Sequence, residues 1–195
     1  MLDLDDIQHI LLCRAPALAA RYEFLTFSSA AAGKCWLAGM TPTVQSVSQV
    51  RVSPETDKRW VTVAFTWNGL RVLGVDENAL ASFPEEFRQG MAARAEVLGD
   101  TGNNHPDRWV GELASPKLHA IVILFARDVP ERDRCVHEHR NFLATCGGVE
   151  ILSSLDLEAT PPLEYAHDHF GYRDRMSQPV IEGSGKRRRL VPANR

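Results

Sequence analysis

Alternating apolar and polar positions mark the most regular parts of this chain. Arg21-Tyr22-Glu23-Phe24-Leu25-Thr26-Phe27 carries aromatic or apolar side chains at period two, which predicts a strand. Trp60 to Thr66 repeats the pattern, with Val61, Val63 and Phe65 on one face and Thr62, Ala64 and Thr66 on the other. Leu118 to Phe125 is almost continuously apolar, as a strand covered on both faces would be. Val149-Glu150-Ile151-Leu152 opens a fourth strand.

Between these lie helical signals. Ser28 or Ser29 is placed to cap a helix through Ala30 to about Met40, closed by Thr41-Pro42. Pro130 opens a second long helix to about Cys146, and Gly147-Gly148 stops it. Asn68 is placed to cap a short helix ending at Gly74. A helical turn follows at Asp76 to Leu80, and a helix from about Glu85 to Leu98 is expected to bury Phe87, Met91, Ala95 and Leu98. Gly, Asn, Asp and Pro cluster over residues 99–116 as a loop. Residues 43–58 give no firm pattern.

Setting aside a helical insertion at about 68–116, the order is β-α-β-β-α-β. This predicts an α+β, ferredoxin-like fold with an antiparallel sheet and both helices on one face. Its expected divisions are an N-terminal extension (1–20), the ferredoxin-like domain (21–160), a segment at 161–183 and a basic tail (184–195). The apolar strand at 118–125 requires the other sheet face to be covered, by the insertion or by a partner domain.

Composition narrows the function classes. The chain has 195 residues, 44% hydrophobic and 24% charged, and a net charge of −3, so nothing favours nucleic acid or an anionic membrane. No run approaches the ~18 apolar residues of a membrane span. The acidic start, Met1 to Asp6, is unlike a secretory signal and implies a cytoplasmic chain. Cys13, Cys35, Cys135 and Cys146 form no C-x-x-C pair and are expected to be reduced and buried or half-buried.

Short motifs are weak on their own. His137 and His139, two apart on a helix, point in different directions and cannot easily share a metal; His167 and His169 lie in a loop without a third ligand. Lys186 to Arg189 is a short basic run that could touch phosphates but fits a solvated end better, and Gly183-x-Gly185-Lys186 lacks the upstream glycine of a phosphate-binding loop. No Gly-x-Ser-x-Gly elbow is present. Asp174 lies between Arg173 and Arg175, whose charges favour its ionised form and suit it to accept a proton near neutral pH; the same residues also fit a surface turn.

Residues 169–183, His-Phe-Gly-Tyr-Arg-Asp-Arg-Met-Ser-Gln-Pro-Val-Ile-Glu-Gly, resemble the signature of the dye-decolourising peroxidases. That signature is Gly-x-x-Asp-Gly, often within Phe-Gly-Phe-x-Asp-Gly-x-Ser-x-Pro. Leu4 to Gln8, Phe65 to Leu70, Phe83 to Met91 and Leu98 to Asp100 resemble the N-terminal half of the same family, in order.

The resemblance implies one of two ferredoxin-like domains in a hydrogen-peroxide-dependent oxidoreductase that acts on a reducing substrate. Haem b and its iron sit in the second domain, and the 161–183 loop faces the haem. By position, Asp174 would carry the peroxide proton, and Arg175, Met176 and Ser177 would run along the haem edge. Two departures stand out. Arg175 replaces the motif's closing glycine, where a long side chain would crowd the pocket or turn outward. The family's axial histidine and distal arginine lie downstream of the signature, whereas the last histidine here is His169. A second chain or a C-terminal half would have to supply them. The alternative is a non-catalytic remnant that serves as an interaction or dimerisation module in a homo-oligomer.

Overall fold

β1 (Ala19–Phe27) runs through the middle of the structure, and every larger element is placed relative to it. The computed structural model describes residues 2–13, 15–52, 58–158 and 181–184. After β1 come α1 (Ala30–Met40), α2 (Val47–Val52) and β2 (Arg59–Phe65). Four short helices follow: α3 (Trp67–Val72), α4 (Glu77–Ala81), α5 (Glu85–Ala93) and α6 (Ala95–Leu98). β3 (Ala120–Ala126), α7 (Val129–Cys146) and β4 (Val149–Glu158) complete the order.

The strands form one antiparallel sheet in the order β2-β3-β1-β4. This is the predicted ferredoxin-like β-α-β-β-α-β arrangement, with α3 to α6 as the helical insertion. Val61, Val63 and Phe65 do share a face, and they meet Leu25, Phe27, Val122, Leu124, Trp36 and Leu143 in the main core. Trp36 is fully buried, with its ring 5.6 Å from that of Phe27. Burying one such side chain contributes roughly 1.5–3 kcal/mol.

The helix ends follow local chemistry. Ser29 accepts from Ala32 N–H at 3.2 Å to start α1, and Asp128 accepts from Glu131 N–H at 2.8 Å to start α7. Gly147 (φ 52°) and Gly148 (φ 85°) turn the chain from α7 into β4, which residues with a Cβ do poorly at positive φ. Thr66, not Asn68, caps α3, accepting from Gly69 N–H at 3.0 Å.

The expected helix at 85–98 is broken. Gly90 has φ 76° and ψ 168°, outside the helical region, and Arg94 separates α5 from α6. The break changes the face presented, so Phe87, Met91 and Leu98 are exposed and Ala95 alone of the four is buried. Residues 47–52, which gave no firm pattern, form α2. Its Val50 packs with Ala15 on the fully buried Trp60.

β2 is an edge strand, and side-chain amides occupy its outer edge. Gln8 donates from Nε2 to Val63 C=O at 2.9 Å, and its Oε1 accepts from Val63 N–H at 3.0 Å. Gln45 Oε1 accepts from Val61 N–H at 2.9 Å. Two glutamines thus take the place of a neighbouring strand at positions that would otherwise invite edge pairing.

Candidate functional site

Asp174, Arg175, Met176 and Ser177 lie outside the described residues, as do His167, His169 and the basic run at 186–189. The described residues on either side of positions 159–180 are the end of β4 and Ile181 to Ser184.

The β4 end is fixed by charge. Alternation puts Ser154, Asp156 and Glu158 on the helix-covered face opposite Glu23, Arg21 and Ala19. Arg21 holds Asp156 through two hydrogen bonds, and Arg132 of α7 reaches Glu158 at 3.2 Å and Asp156 at 3.6 Å. The hydrogen bond from Arg21 is the main reason that the Asp156 carboxyl titrates below its ordinary range.

After position 180, Ser184 is buried and its carbonyl accepts from Arg51 of α2 at 3.2 Å. Gly183 passes close to Leu2, where a Cβ would come within 3.2 Å of Leu2 Cγ. α2 packs over Trp60 of β2, whereas β4 forms the opposite edge of the sheet. The described residues before and after positions 159–180 therefore lie at opposite edges of the sheet.

The sheet face away from α1 and α7 is apolar and unevenly covered. On the β2 side, the N-terminal segment covers it. His9 stacks edge-on to Phe125 at 6.1 Å and its Nε2 lies 3.2 Å from Thr62 Oγ1. In the middle, the backbone at Gly111 of the insertion lies beside Phe24 and accepts from Ser153 Oγ at 2.8 Å. On the β4 side, Leu155 is 52% exposed and Leu157 44%, next to half-buried Tyr22. The insertion thus supplies part of the cover expected from the sequence, and an apolar strip along β4 remains.

A buried polar network lies on the other face. Glu23 is fully buried in β1, and its Oε2 is 2.6 Å from His139 Nδ1 while its Oε1 accepts from Arg140 Nε at 3.0 Å. Trp36 Nε1–H donates to His139 Nε2 at 3.0 Å. An indole can only donate, so Nε2 accepts and the ring proton sits on Nδ1, facing the carboxylate. Sequence reasoning missed this group. Its one signal was a glutamate on the inward-facing side of a strand, followed on that face by Leu25 and Phe27. His137, by contrast, is exposed, so the two histidines of that pair do point apart.

A haem iron ligated by histidine needs a free ring nitrogen, and the described histidines differ in what they offer. His139 has both nitrogens engaged, and His119 Nδ1 accepts from Phe27 N–H at 2.9 Å. His9 is packed under Phe125, His105 pairs with Asp107 at the surface, and His137 projects from the outer side of α7. His9, His119 and His139 could bind iron only by giving up these buried contacts, whereas His105 and His137 stand at the surface, outside any pocket formed by the described residues. A hollow of about 310 Å³ beside β2 is lined by Asp5, Gln8, Leu37, Gln45 and Phe65 among others, but Gln8 and Gln45 are committed to the strand edge and Asp5 to Ser48. The described residues do not by themselves form a haem cradle.

A four-stranded antiparallel sheet with helices on one face and an insertion after the second strand defines an α+β domain of the ferredoxin-like type. Residues 6–153 match the family model described as "DyP dimeric alpha+beta barrel domain". The chain belongs to the dye-decolourising peroxidase family, whose N-terminal domain it represents. It is 30% identical over 186 residues to a dye-decolorizing peroxidase of Exidia glandulosa, covering 94% of this chain and 35% of that protein. To the dye-decolorizing peroxidase AauDyP1 of Auricularia auricula-judae it is 27% identical over 183 residues, covering 93% and 34%.

The crystal structure of a decolorizing peroxidase from Auricularia auricula-judae superposes with a TM-score of 0.79 at 25% identity, over 93% of this chain and 39% of that one. A dye-decolorizing peroxidase with an engineered heme pocket superposes equally well, at 0.79 and 25% identity, over 93% and 39%. The chain spans about a third of the length of the curated relatives it matches.

Proposed function

We propose that this chain is the N-terminal domain of a haem peroxidase that uses hydrogen peroxide to oxidise a reducing substrate. The observation that carries the reading is the family match over 6–153, continued by the signature-like stretch at 169–183. In this reading residues 161–183 face the haem, 1–20 form an extension and 184–195 a basic tail.

Asp174 is assigned the proton: its carboxylate accepts one from bound peroxide and returns it to the departing oxygen. Arg173 and Arg175 favour the ionised form needed for the first of these steps. Arg175, Met176 and Ser177 are assigned to the haem edge. Haem b, when bound, supplies the oxidising chemistry. The iron's protein ligand and the distal arginine, which the family carries downstream of the signature, would come from a C-terminal half or a second chain.

The test is haem titration of the purified chain, alone and with a completing C-terminal half. Weak uptake alone, and a sharp Soret band with peroxide turnover once completed, supports the reading. Asp174→Asn should then abolish turnover and leave the Soret band largely intact. Unchanged turnover would remove Asp174 from the mechanism.

A second reading is a non-catalytic dimerisation module, favoured by the exposed Leu155 and Leu157. Sedimentation distinguishes it: a dimer that becomes a monomer in Leu155→Glu/Leu157→Glu, with no haem uptake under any condition, selects this reading.

A further inference from the structure

Four cysteines are distributed over the chain, and the fold brings two of them together. Cys35, in the middle of α1, and Cys146, the last residue of α7, are 111 positions apart, yet their sulfurs are 2.6 Å apart. Sulfur atoms that are not bonded stand much farther apart than this, and a disulfide bond measures about 2.05 Å. Cys35 is exposed and Cys146 half-buried, so an oxidant reaches the pair from solvent. Cys13 and Cys135 are placed differently: Cys13 Sγ points at Val47 C=O at 4.0 Å, and Cys135 is buried in the main core.

The approach is built into the packing of the two helices. Trp36, next to Cys35, is hydrogen-bonded across the interface to His139 at 3.0 Å. One turn further along α1, Gly39 lies against Phe142. A Cβ at residue 39 would come within 2.0 Å of the Phe142 ring, so the absence of one lets the helices close up beside the thiols. These contacts leave the two sulfurs facing each other on the surface of the layer opposite the apolar β4 strip.

We propose that Cys35 and Cys146 are a redox site, closing to an intramolecular disulfide when the chain meets a hydroperoxide. The Cys35 thiolate attacks one peroxide oxygen; the O–O bond breaks, leaving a sulfenic acid on Cys35 and a hydroxide that takes up a proton to become water. Cys146 Sγ then attacks the Cys35 sulfur. Its proton leaves with the sulfenic hydroxyl as a second water. Overall, two thiols and one hydrogen peroxide give one disulfide and two waters, with sulfur oxidised and peroxide reduced. The order of attack follows from the environments. Burial, helped by the contact with Cys35, pushes the Cys146 thiol up to about 11, so the exposed Cys35 is the thiol that meets peroxide first. The bond would join α1 to the point where α7 turns through Gly147-Gly148 into β4. This inference stands on the geometry of the two helices and does not depend on the peroxidase reading.

The full chain separates the cysteines conveniently, because trypsin places Cys35 on 35–51, Cys135 on 135–140, Cys146 on 141–173 and Cys13 on the peptide ending at Arg14. The experiment is to reduce the protein, remove the reductant, add hydrogen peroxide, block remaining thiols with iodoacetamide and map the digest by mass spectrometry. The expected result is a single cross-link between 35–51 and 141–173, reversed by dithiothreitol, with Cys13 and Cys135 still alkylated. Cys35→Ser and Cys146→Ser should each abolish it, and the Cys13→Ser/Cys135→Ser double variant should retain it. The proposal is overturned if all four thiols remain alkylated, if Cys35 is carried to sulfinic acid without a cross-link, or if the only disulfide joins two chains.

Discussion

Oε2 of Glu23 and Nδ1 of His139 stand 2.6 Å apart, with the glutamate fully buried and the histidine nearly so. The pair ties the central strand to the longest helix, and Trp36 and Arg140 complete it from either side. Every polar atom of the carboxylate and imidazole finds a partner there. A buried polar group is tolerated on those terms, and leaving one unmatched is costly.

Removing the carboxylate should therefore be expensive. Glu23→Ala leaves the buried His139 N–H without an acceptor and is expected to lower stability by about 2–4 kcal/mol. Glu23→Gln keeps an acceptor oxygen and should cost less. Urea unfolding of the two variants checks both statements. A Glu23→Ala protein within about 0.5 kcal/mol of the parent would show that the network is dispensable.

Stability should fall on mild acidification, through His119. Its Nδ1 accepts the Phe27 N–H, and burial holds its pKa below the ordinary 6.5. A folded-state value below the unfolded one means that the unfolded chain takes up the proton first. Stability is therefore full above about 6.5 and is lost as pH falls from there towards the folded value. His9, lowered mainly by burial, acts in the same direction. Asp156 does not contribute in this window, since its depressed pKa puts its loss below 3.8. Urea midpoints between about pH 8 and about pH 5 should decline, and His119→Asn should flatten the decline. An unchanged slope in that variant would assign the effect elsewhere.

Gly69 is set by contact. A Cβ there would stand 1.9 Å from the carbonyl oxygen of His119, a backbone atom that cannot swing aside. Gly69→Ala should cost about 1–3 kcal/mol as α3 is pushed off the start of β3. Circular dichroism melts compared with an exposed control, Gly99→Ala, report it. Gly99 has open space around it and loses only through its positive φ.

The amide edge of β2 predicts a different defect. Gln8→Leu removes both hydrogen bonds to Val63 and should cost about 1–2 kcal/mol. It also frees an edge strand for intermolecular pairing, so light scattering during a slow thermal ramp should begin earlier than in the parent. A variant with the parent's melting point and scattering onset would show that the amide does not protect the edge.

Much of the fold was legible in the sequence because it is encoded by near neighbours. Alternation over Arg21–Phe27 and Trp60–Thr66, the cap at Ser29 and the stop at Gly147-Gly148 each act within a few residues. Together they give the β-α-β-β-α-β order. The helix expected at 85–98 failed for an equally local reason. Its apolar spacing suits a continuous helix, and the backbone at Gly90 does not continue one. The candidate site was legible only as a resemblance. Asp174 and its neighbours carry the signature in sequence, and they lie outside the described residues.

What the chain alone determined is its local alphabet of strands, helices and turns, its family signature, and the apolar faces that must meet. Tertiary structure decided which distant residues became partners: Glu23 with His139, Gln8 with the edge at Val63, and Cys35 with Cys146. These pairs are separated by 116, 55 and 111 positions. No periodicity reaches that far, because such contacts depend on sheet order and on how closely α1 and α7 pack. A surface cysteine and a helix-end cysteine become one site only after β1 and β4 have brought their helices side by side.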